Sequence, residues 1–332
     1  MKLQRIRYES VRSLPVIRAA YVPLLLLAAG LVYPFVAPNP YLVSTGVVFF
    51  IQALLVASLA FLMGWAGQIS LGHASLYAIG AYTSAILTAK AGVPFPLAFF
   101  AAGALAGLAA FVIGLPSLRL SGHYLAMATL GFAEIVVVIL IEADALTGGT
   151  SGLVGIPAAA FGSYVLDNAY AYYYFAFAVF LAILYLLYLL THTRLGRAML
   201  ALHANEVAAT SLGLNVAALK LGAFVISGIV AGLAGSLYTH LNRFVSPETF
   251  SLSYSIILVA MVVIGGSRSL GGAVAAAFLL TFSNEYLRAY QDFNYLIFGL
   301  LLVIIVLFFK AGLAGAYTRL RAFVSRTARG SA

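Results

Sequence analysis

Few side chains in this 332-residue sequence could perform acid–base or metal chemistry, and they are scattered along the chain. The five histidines, at positions 73, 123, 192, 203 and 240, show no H-E-x-x-H or other metal-ligand spacing. Cysteine is absent, no G-x-S-x-G sequence marks a serine nucleophile, and no carboxylate pair shares a helix face. None of the lysines stands in a Gly-Lys-Ser/Thr sequence, which a Walker-type phosphate loop requires. The sequence therefore predicts no catalytic residue, no metal site and no cofactor.

Glu134 is the acidic residue that falls near the middle of a predicted membrane span, in RLSGHYLAMATLGFAEI at 119–135. An ionised carboxylate at that depth costs on the order of several kcal/mol unless it is paired or hydrated. We therefore expect Glu134 to face the interior of the bundle or a cavity, where it could contact a cationic substrate group or relay a proton. The structural alternative is a neutral glutamate that joins helices by hydrogen bonding. A proton-coupled carrier usually needs more than one such group, which weakens the hypothesis of a stand-alone secondary transporter.

The composition that surrounds these residues is typical of an integral membrane protein. Apolar residues make up 64% of the chain and charged residues 8%, whereas soluble domains carry about 25% charged residues. Residues 19–89 contain no Asp, Glu, Lys or Arg, although a span needs only about 20 apolar residues. Breaks at charges and at Pro/Gly clusters predict ten spans, at 21–37, 41–63, 74–89, 95–115, 122–141, 170–190, 219–239, 251–266, 271–287 and 294–309.

The positions of Lys and Arg predict the orientation of these spans. With both termini in the cytoplasm, 15 of the 18 basic residues lie on the cytoplasmic side, as the positive-inside rule requires. We expect an all-α polytopic bundle of about ten transmembrane helices, or eight if one or two segments are re-entrant. The domains are a basic tail at 1–20, a membrane domain at 21–309 with a cytoplasmic loop at 191–218, and a basic tail at 310–332. Because the basic residues gather in tails and loops, the net charge of +9 does not indicate nucleic-acid binding.

Two glycine-containing turns form a weak internal repeat. GQISLGHA at 67–74 and GSRSLGGA at 266–273 share five of eight residues. Paired glycine-interrupted segments in the two halves of a transporter often mark broken helices near a substrate path. The polar residues of the first copy, Gln68, Ser70 and His73, are therefore candidates for lining a translocation path. The alternative is that glycine-rich turns resemble one another without functional consequence.

The longest predicted internal loop contains RLGRAMLALHANEVAATSLGLN at 194–215. Leu195, Met199 and Leu202 fall at helical spacing while Arg194 and Arg197 point elsewhere, which predicts an amphipathic surface helix.

A second, shorter helix is predicted to follow in the same loop. Asn205 suits the N-cap position, Glu206 suits the first turn beside the positive helix end, and Gly213 suits a left-handed stop. The helix between them has about seven residues and is roughly 10 Å long. Because Ala208 and Ala209 are small, the helix could insert into a groove of a partner protein. A solvated connector is the alternative.

Several segments together resemble the permease subunits of bacterial ABC importers for branched-chain amino acids, of the LivM type. The resemblance extends from about residue 45 to residue 315. The SLGHA sequence at 70–74 resembles this subunit rather than its sister permease, which usually reads NFAHG. The segments that carry the resemblance are GQISLGHASLYAIGAY at 67–82, LRLSGHYLAMATLGFAEI at 118–135, LTGGTSGLVGIP at 146–157, the 194–215 segment, VSPETFSLSYSI at 245–256 and VIGGSRSLGG at 263–272.

The resemblance also implies a role for the short helix, because ABC importers share a cytoplasmic loop of pattern E-A-A-x-x-x-G that docks on the ATPase. Ala208, Ala209 and Gly213 match this pattern, whereas Val207 occupies the glutamate position and Glu206 stands one residue earlier. The resemblance therefore implies ATPase docking by these five residues.

The resemblance further implies a non-catalytic subunit of the bacterial inner membrane. Its partners would be a sister permease in a heterodimer, two ATP-binding subunits and a periplasmic binding protein for leucine, isoleucine or valine. Other members of the family carry urea, short amides or aromatic acids, which are the alternative substrates.

Overall fold

The computed structural model describes residues 27–28, 30–118, 120, 122–287 and 299. Of the predicted spans, the one at 294–309 lies outside these residues except for position 299, as do both basic tails. The described part is a helical bundle. Its helices are α1 (Pro40–Trp65), α2 (His73–Ala89), α3 (Phe95–Ser117), α4 (His123–Glu142), α5 (Asp144–Thr147), α6 (Ala169–His192), α7 (Arg194–Ala204), α8 (Glu206–Ser211), α9 (Val216–Asn242), α10 (Leu252–Gly265) and α11 (Leu270–Leu287).

Six helical segments of the described chain are long and apolar enough to cross a membrane. They correspond to α1, α3, α4, α6, α9 and α10, the last extended by the 3-10 turn Pro247–Phe250. The predicted spans at 74–89 and 271–287 are also helical, as α2 and α11. The 17 residues of α2 make a helix of about 25 Å, which is near the short limit for a span. A mostly helical, multi-pass fold is thus confirmed, while the count of eight to ten crossings remains a prediction.

Small residues allow α9 to approach its neighbours closely. A Cβ atom on Gly232 would lie 2.5 Å from the carbonyl oxygen of Ala102 in α3, and one on Gly80 of α2 would overlap the backbone of Gly232. Gly228, one turn earlier, lies equally close to Ala106 and its neighbours in α3. Such G-x-x-x-G spacing favours helix association in membranes, because the backbones can meet without side chains between them.

α1 passes through the middle of the bundle and is buried along most of its length. It packs against α6, α9 and α11, and aromatic rings fill the space between α1 and α6. Phe50 stacks on Phe180 with ring centroids 5.2 Å apart. The hydrophobic core therefore surrounds α1 and is not confined to the interface of one helix pair.

Short strands and loops cover one end of the bundle, which we call the loop end (residues 143–168 and 243–251). β1 (Leu153–Val154) pairs antiparallel with β4 (Phe244–Val245), and β2 (Ala160–Phe161) forms a hairpin with β3 (Tyr164–Val165). At this end Lys90 Nζ donates a hydrogen bond to the Ala145 carbonyl at 2.6 Å, and Arg243 forms an ion pair with Asp167. The loops that the predicted topology assigns to the outer side thus meet one another at one end.

Candidate functional site

The α7–α8 segment lies at the opposite end of the bundle and shows the predicted capping. Asn205 Oδ1 accepts a hydrogen bond from the Ala208 backbone N–H at 3.0 Å, as an N-cap residue does. Gly213 has a φ of +78°, and the Leu214 N–H donates to the Ala209 carbonyl at 3.2 Å. These bonds close the helix at both ends. The predicted N-cap and left-handed stop are confirmed, and the helix between them has six residues rather than seven.

The buried face of α7 differs by one position from the predicted face. Met199 and Leu202 are buried as expected, together with Gly196, whose Cβ would overlap the Thr191 carbonyl. Leu195 is 51% exposed, so its predicted place on the same face is wrong. The reason is that the close approach of Gly196 to the end of α6 sets the rotation of α7. That rotation turns Leu195 outward.

α8 presents an apolar surface outward, although not the predicted one. Ala209 is 1% exposed and packs inside this chain, so it is not available to a partner. Ala208 is exposed, while Val207 and Leu212 are each 76% exposed. Exposed aliphatic side chains around one small residue make a surface suited to a shallow apolar groove. We call Val207, Ala208 and Leu212 the docking face.

Glu206 holds α8 against the first turns of α9. Its Oε1 atom lies 2.7 Å from the Lys220 Nζ atom. The Lys220 side chain is 8% exposed, whereas that of Glu206 is 49% exposed. The carboxylate therefore neutralises an ammonium group that has lost most of its water, and the pair fixes the position of the short helix.

The predicted path residues Gln68, Ser70 and His73 are buried within this chain, near the α7–α8 end. His73 Nε2 lies 2.8 Å from Ser58 Oγ on α1, and Ser70 Oγ accepts from the Gly72 N–H at 3.3 Å. Both amide atoms of the Gln68 side chain are buried and have no hydrogen-bond partner among the residues that the structure describes. The structure thus brings these three residues together in one turn, which is enclosed by the chain's own helices.

This turn contacts the helices on either side of it. The Leu71 N–H donates to Thr129 Oγ1 of α4 at 3.0 Å, and the Ala74 N–H donates to Ser255 Oγ of α10 at 3.2 Å. The turn is therefore tied to α4 by a direct hydrogen bond, and the first residues of α2, which follow it, are tied to α10. The second copy of the sequence repeat approaches the end of α1, just before the first copy, because a Cβ on Gly64 would overlap the Ser267 carbonyl.

His203 of α7 lies over the same turn. A Cβ on Gly67 would come within 2.9 Å of His203 Nδ1, and Gly67 has a φ of +69°. Both the space and the backbone conformation therefore favour glycine there. Burial lowers the pKa of His203, and the nearby Arg268 cation lowers it further. The imidazole is consequently held in its neutral form, as a packing element between α7 and the turn.

Glu134 lies on the outer surface of α4, so it does not face the interior of this chain's bundle, and the alternative expectation, a cavity, stays a prediction. The inner face of α4 is formed by other residues, among them Leu125, Thr129 and Ala133. The exposed residues recur at i, i+3, i+4 and i+7 along the whole helix and make one continuous strip. This α4 face consists of Tyr124, Met127, Ala128, Gly131, Glu134, Ile135, Val138 and Ile139.

Comparison with known proteins gives the family. The sequence family described as "Branched-chain amino acid transport system / permease component" matches residues 41–306. The chain is 36% identical over 302 residues to the "High-affinity branched-chain amino acid transport system permease protein LivM" of Escherichia coli K12, covering 82% of this chain and 71% of that protein. The LivM protein of Salmonella typhimurium is 35% identical with the same coverage.

A more distant relative is the "Probable branched-chain amino acid transport permease protein LivH" of Methanocaldococcus jannaschii, which is 30% identical over 40% of this chain and 42% of its own length. No solved structure matches the chain significantly. The family match spans most of the sequence, and it includes α1 to α11 from residue 41 onward together with the α7–α8 segment. The chain therefore belongs to the family of branched-chain amino acid transport permease components.

Proposed function

We propose that this chain is the membrane permease subunit of an ATP-driven importer for branched-chain amino acids (leucine, isoleucine and valine) in the bacterial inner membrane. It crosses the membrane about ten times with both termini in the cytoplasm. ATP hydrolysis takes place in partner subunits, and the chain itself has no catalytic role. The single observation that supports this proposal is the docking face, which projects from a capped helix in the segment that resembles the ATPase-docking loop of ABC importers.

The docking face fits an ATP-binding subunit. Val207, Ala208 and Leu212 present apolar surface to water at a membrane protein's polar end, where such exposure is unfavourable unless a partner covers it. The caps at Asn205 and Gly213 and the Glu206–Lys220 pair hold this surface rigidly. Two ATP-binding subunits would serve the two permeases of the complex.

The α4 face is the proposed contact with the sister permease and one wall of the translocation path. An ionised Glu134 facing lipid would be strongly unfavourable, whereas in a path shared by two permeases it would be hydrated. The carboxylate can there attract the ammonium end of an amino acid. At the loop end, the β1–β4 pair offers a surface for the periplasmic binding protein that delivers the solute.

The turn at residues 67–72 is the proposed mechanical link between the two sites. His203 of α7 packs on Gly67, and the Leu71 N–H bonds to Thr129 of α4. Displacement of the α7–α8 segment by the ATPase would therefore move α4 through packed atoms and one hydrogen bond. Close packing makes such motion discrete rather than gradual.

The test is uptake of labelled leucine by vesicles that contain the purified complex. We expect uptake to need ATP, the binding protein and the ATPase subunits together. Uptake by the permease alone, driven by a proton gradient and abolished in Glu134→Gln, would instead establish the secondary-transporter alternative. A control complex that carries Glu248→Gln, an exposed change at the loop end, should transport normally.

A further inference from the structure

A polar cavity of about 520 Å³ lies at the loop end between α1, the C-terminal end of α9 and α11. The α1 wall includes Ser44, Thr45 and Gln52, which share one side of the helix. The α11 wall includes Thr281 and Glu285. Eleven residues separate Tyr41, at the mouth, from Gln52, so the wall extends about 16 Å down α1. Polar side chains at this depth need water or a polar ligand.

The serine and threonine hydroxyl groups in this cavity donate their protons to acceptors of the chain itself. Ser44 Oγ donates its proton to the Pro40 carbonyl, and Thr45 Oγ1 donates to the Tyr41 carbonyl, each at 3.2 Å. The single proton of the Thr281 hydroxyl is also donated within the chain, to one of two acceptors, since Gln52 Oε1 lies at 2.5 Å and the Ala277 carbonyl oxygen at 2.7 Å. Since a hydroxyl has only one proton, the oxygen lone pairs remain for a ligand.

Glu285 adds a negative charge to these acceptors. The Tyr41 hydroxyl donates to its Oε1 atom at 2.6 Å. Within the part of the chain that the structure describes, the ion pairs are Lys220–Glu206 and Arg243–Asp167, and neither includes Glu285. Glu285 also lies in the last turn of α11, where the helix dipole disfavours an anion and favours a cation. The cavity is therefore set up to receive a positive group.

The volume and the ligand types favour an organic ammonium group over a metal ion. A dehydrated divalent cation such as Ca²⁺ or Mg²⁺ needs a close shell of oxygen atoms at about 2.0–2.6 Å. A space of about 520 Å³ is too wide for such a shell, yet it can hold an ammonium head with a short aliphatic body. Val48 and Leu241 line part of the wall and offer apolar contact to such a body.

We propose that this cavity binds small solutes through a primary ammonium group, with Glu285 as the counter-ion. The group can belong to a free aliphatic amine or to an α-amino acid. The site lies inside one chain and is separate from the α4 face. Binding of a free amine at this site does not depend on the proposed function. Only if the ligand is an amino acid would this site be connected with the proposed import of amino acids.

The test uses the intact purified complex in lipid nanodiscs, without the binding protein. Saturation-transfer NMR measures binding of 3-methylbutylammonium, with L-leucine and 4-methylpentanoate as competitors. 3-Methylbutylammonium and leucine both carry an ammonium group on a similar branched aliphatic chain. 4-Methylpentanoate has such a chain but no ammonium group. We expect the amine to bind and 4-methylpentanoate not to compete. If leucine competes, the cavity accepts the ammonium group of amino acids. If leucine does not compete, it accepts that of free amines only. Both outcomes support the ammonium site.

Two variants locate the binding. Glu285→Gln keeps the shape of the side chain and should weaken amine binding more than 10-fold, whereas the matched control Glu248→Gln, at the same end but outside the cavity, should have no effect. Ser44→Phe keeps Glu285 but fills the cavity, and should also abolish binding. Equal amine binding by wild type, Glu285→Gln and Ser44→Phe, or equal competition by 4-methylpentanoate, would overturn the proposal. ATP-driven leucine uptake is measured separately, so failure of the site and failure of the proposed function are distinguishable.

Discussion

Replacing Glu206 by Gln tests whether the ion pair to Lys220 positions the docking face. Fully exposed ion pairs contribute about 0.2–1 kcal/mol, whereas removing one partner of a buried pair costs about 3–5 kcal/mol. Lys220 is 8% exposed and Glu206 is 49% exposed, so this pair lies between the two limits. We therefore expect Glu206→Gln to cost about 1–3 kcal/mol, which corresponds to about a 5- to 150-fold loss of the correctly placed α8.

The double variant Glu206→Gln with Lys220→Met distinguishes loss of the ion pair from independent effects of the two substitutions. Methionine removes the stranded ammonium group and keeps an aliphatic chain of similar length. The double variant should therefore recover part of the loss, and the three variants form a double-mutant cycle. The assay is co-purification of the ATP-binding subunits and substrate-stimulated ATP hydrolysis at equal permease content, with Glu248→Gln as the control.

Two results would refute this reasoning. If Glu206→Gln left both ATPase association and hydrolysis at the wild-type level, the ion pair would have no role in positioning α8. If the free-energy cost of the double variant equalled the sum of the costs of the two single variants, the two side chains would act independently. The contact at 2.7 Å would then be incidental.

Three further predictions follow from other parts of the structure. Gly232→Val places a branched side chain against the Ala102 carbonyl and the Ala106 side chain of α3, so the melting temperature of the purified complex should fall by several degrees; an unchanged melting temperature would contradict the α3–α9 packing. Glu134→Gln should leave the complex assembled and reduce leucine uptake without abolishing it, because the carboxylate attracts solute but is not obligatory; complete loss in an intact complex would favour a carboxylate-coupled mechanism. Cysteines introduced at the exposed positions Ser151 and Ser211 should react with an impermeant thiol reagent from opposite faces of the membrane, and labelling of both in intact cells would refute the topology.

The features predicted correctly from the sequence are those set by local interactions. Asn205 caps α8 through a backbone N–H three residues away, and Gly213 ends it through its own φ, so neighbouring residues suffice to predict both. The Glu206–Lys220 pair spans 14 residues and two helices, and no sequence pattern marked it. The inward position of Ala209 depends in the same way on how α8 rests on the bundle.

The outward position of Glu134 could not be predicted for a different reason. α4 is apolar on every side, because one face packs on other helices and the other faces lipid or a second subunit. Hydrophobic periodicity therefore does not distinguish the two faces, unlike in a soluble protein. The cavity wall on α1 did carry a signal, since Ser44, Thr45 and Gln52 interrupt an otherwise apolar span on one side.

The central claim is that the docking face contacts an ATP-binding subunit, and site-specific photo-cross-linking tests it most directly. A photoreactive residue placed at Val207, which is 76% exposed on α8, should form a covalent product with the ATP-binding subunit in the assembled complex. The same residue at Phe100, which is 69% exposed on α3, should give no such product. Cross-linking of the ATPase from position 207 alone is the predicted result. An intact, active complex with no ATPase product from position 207 would contradict the account.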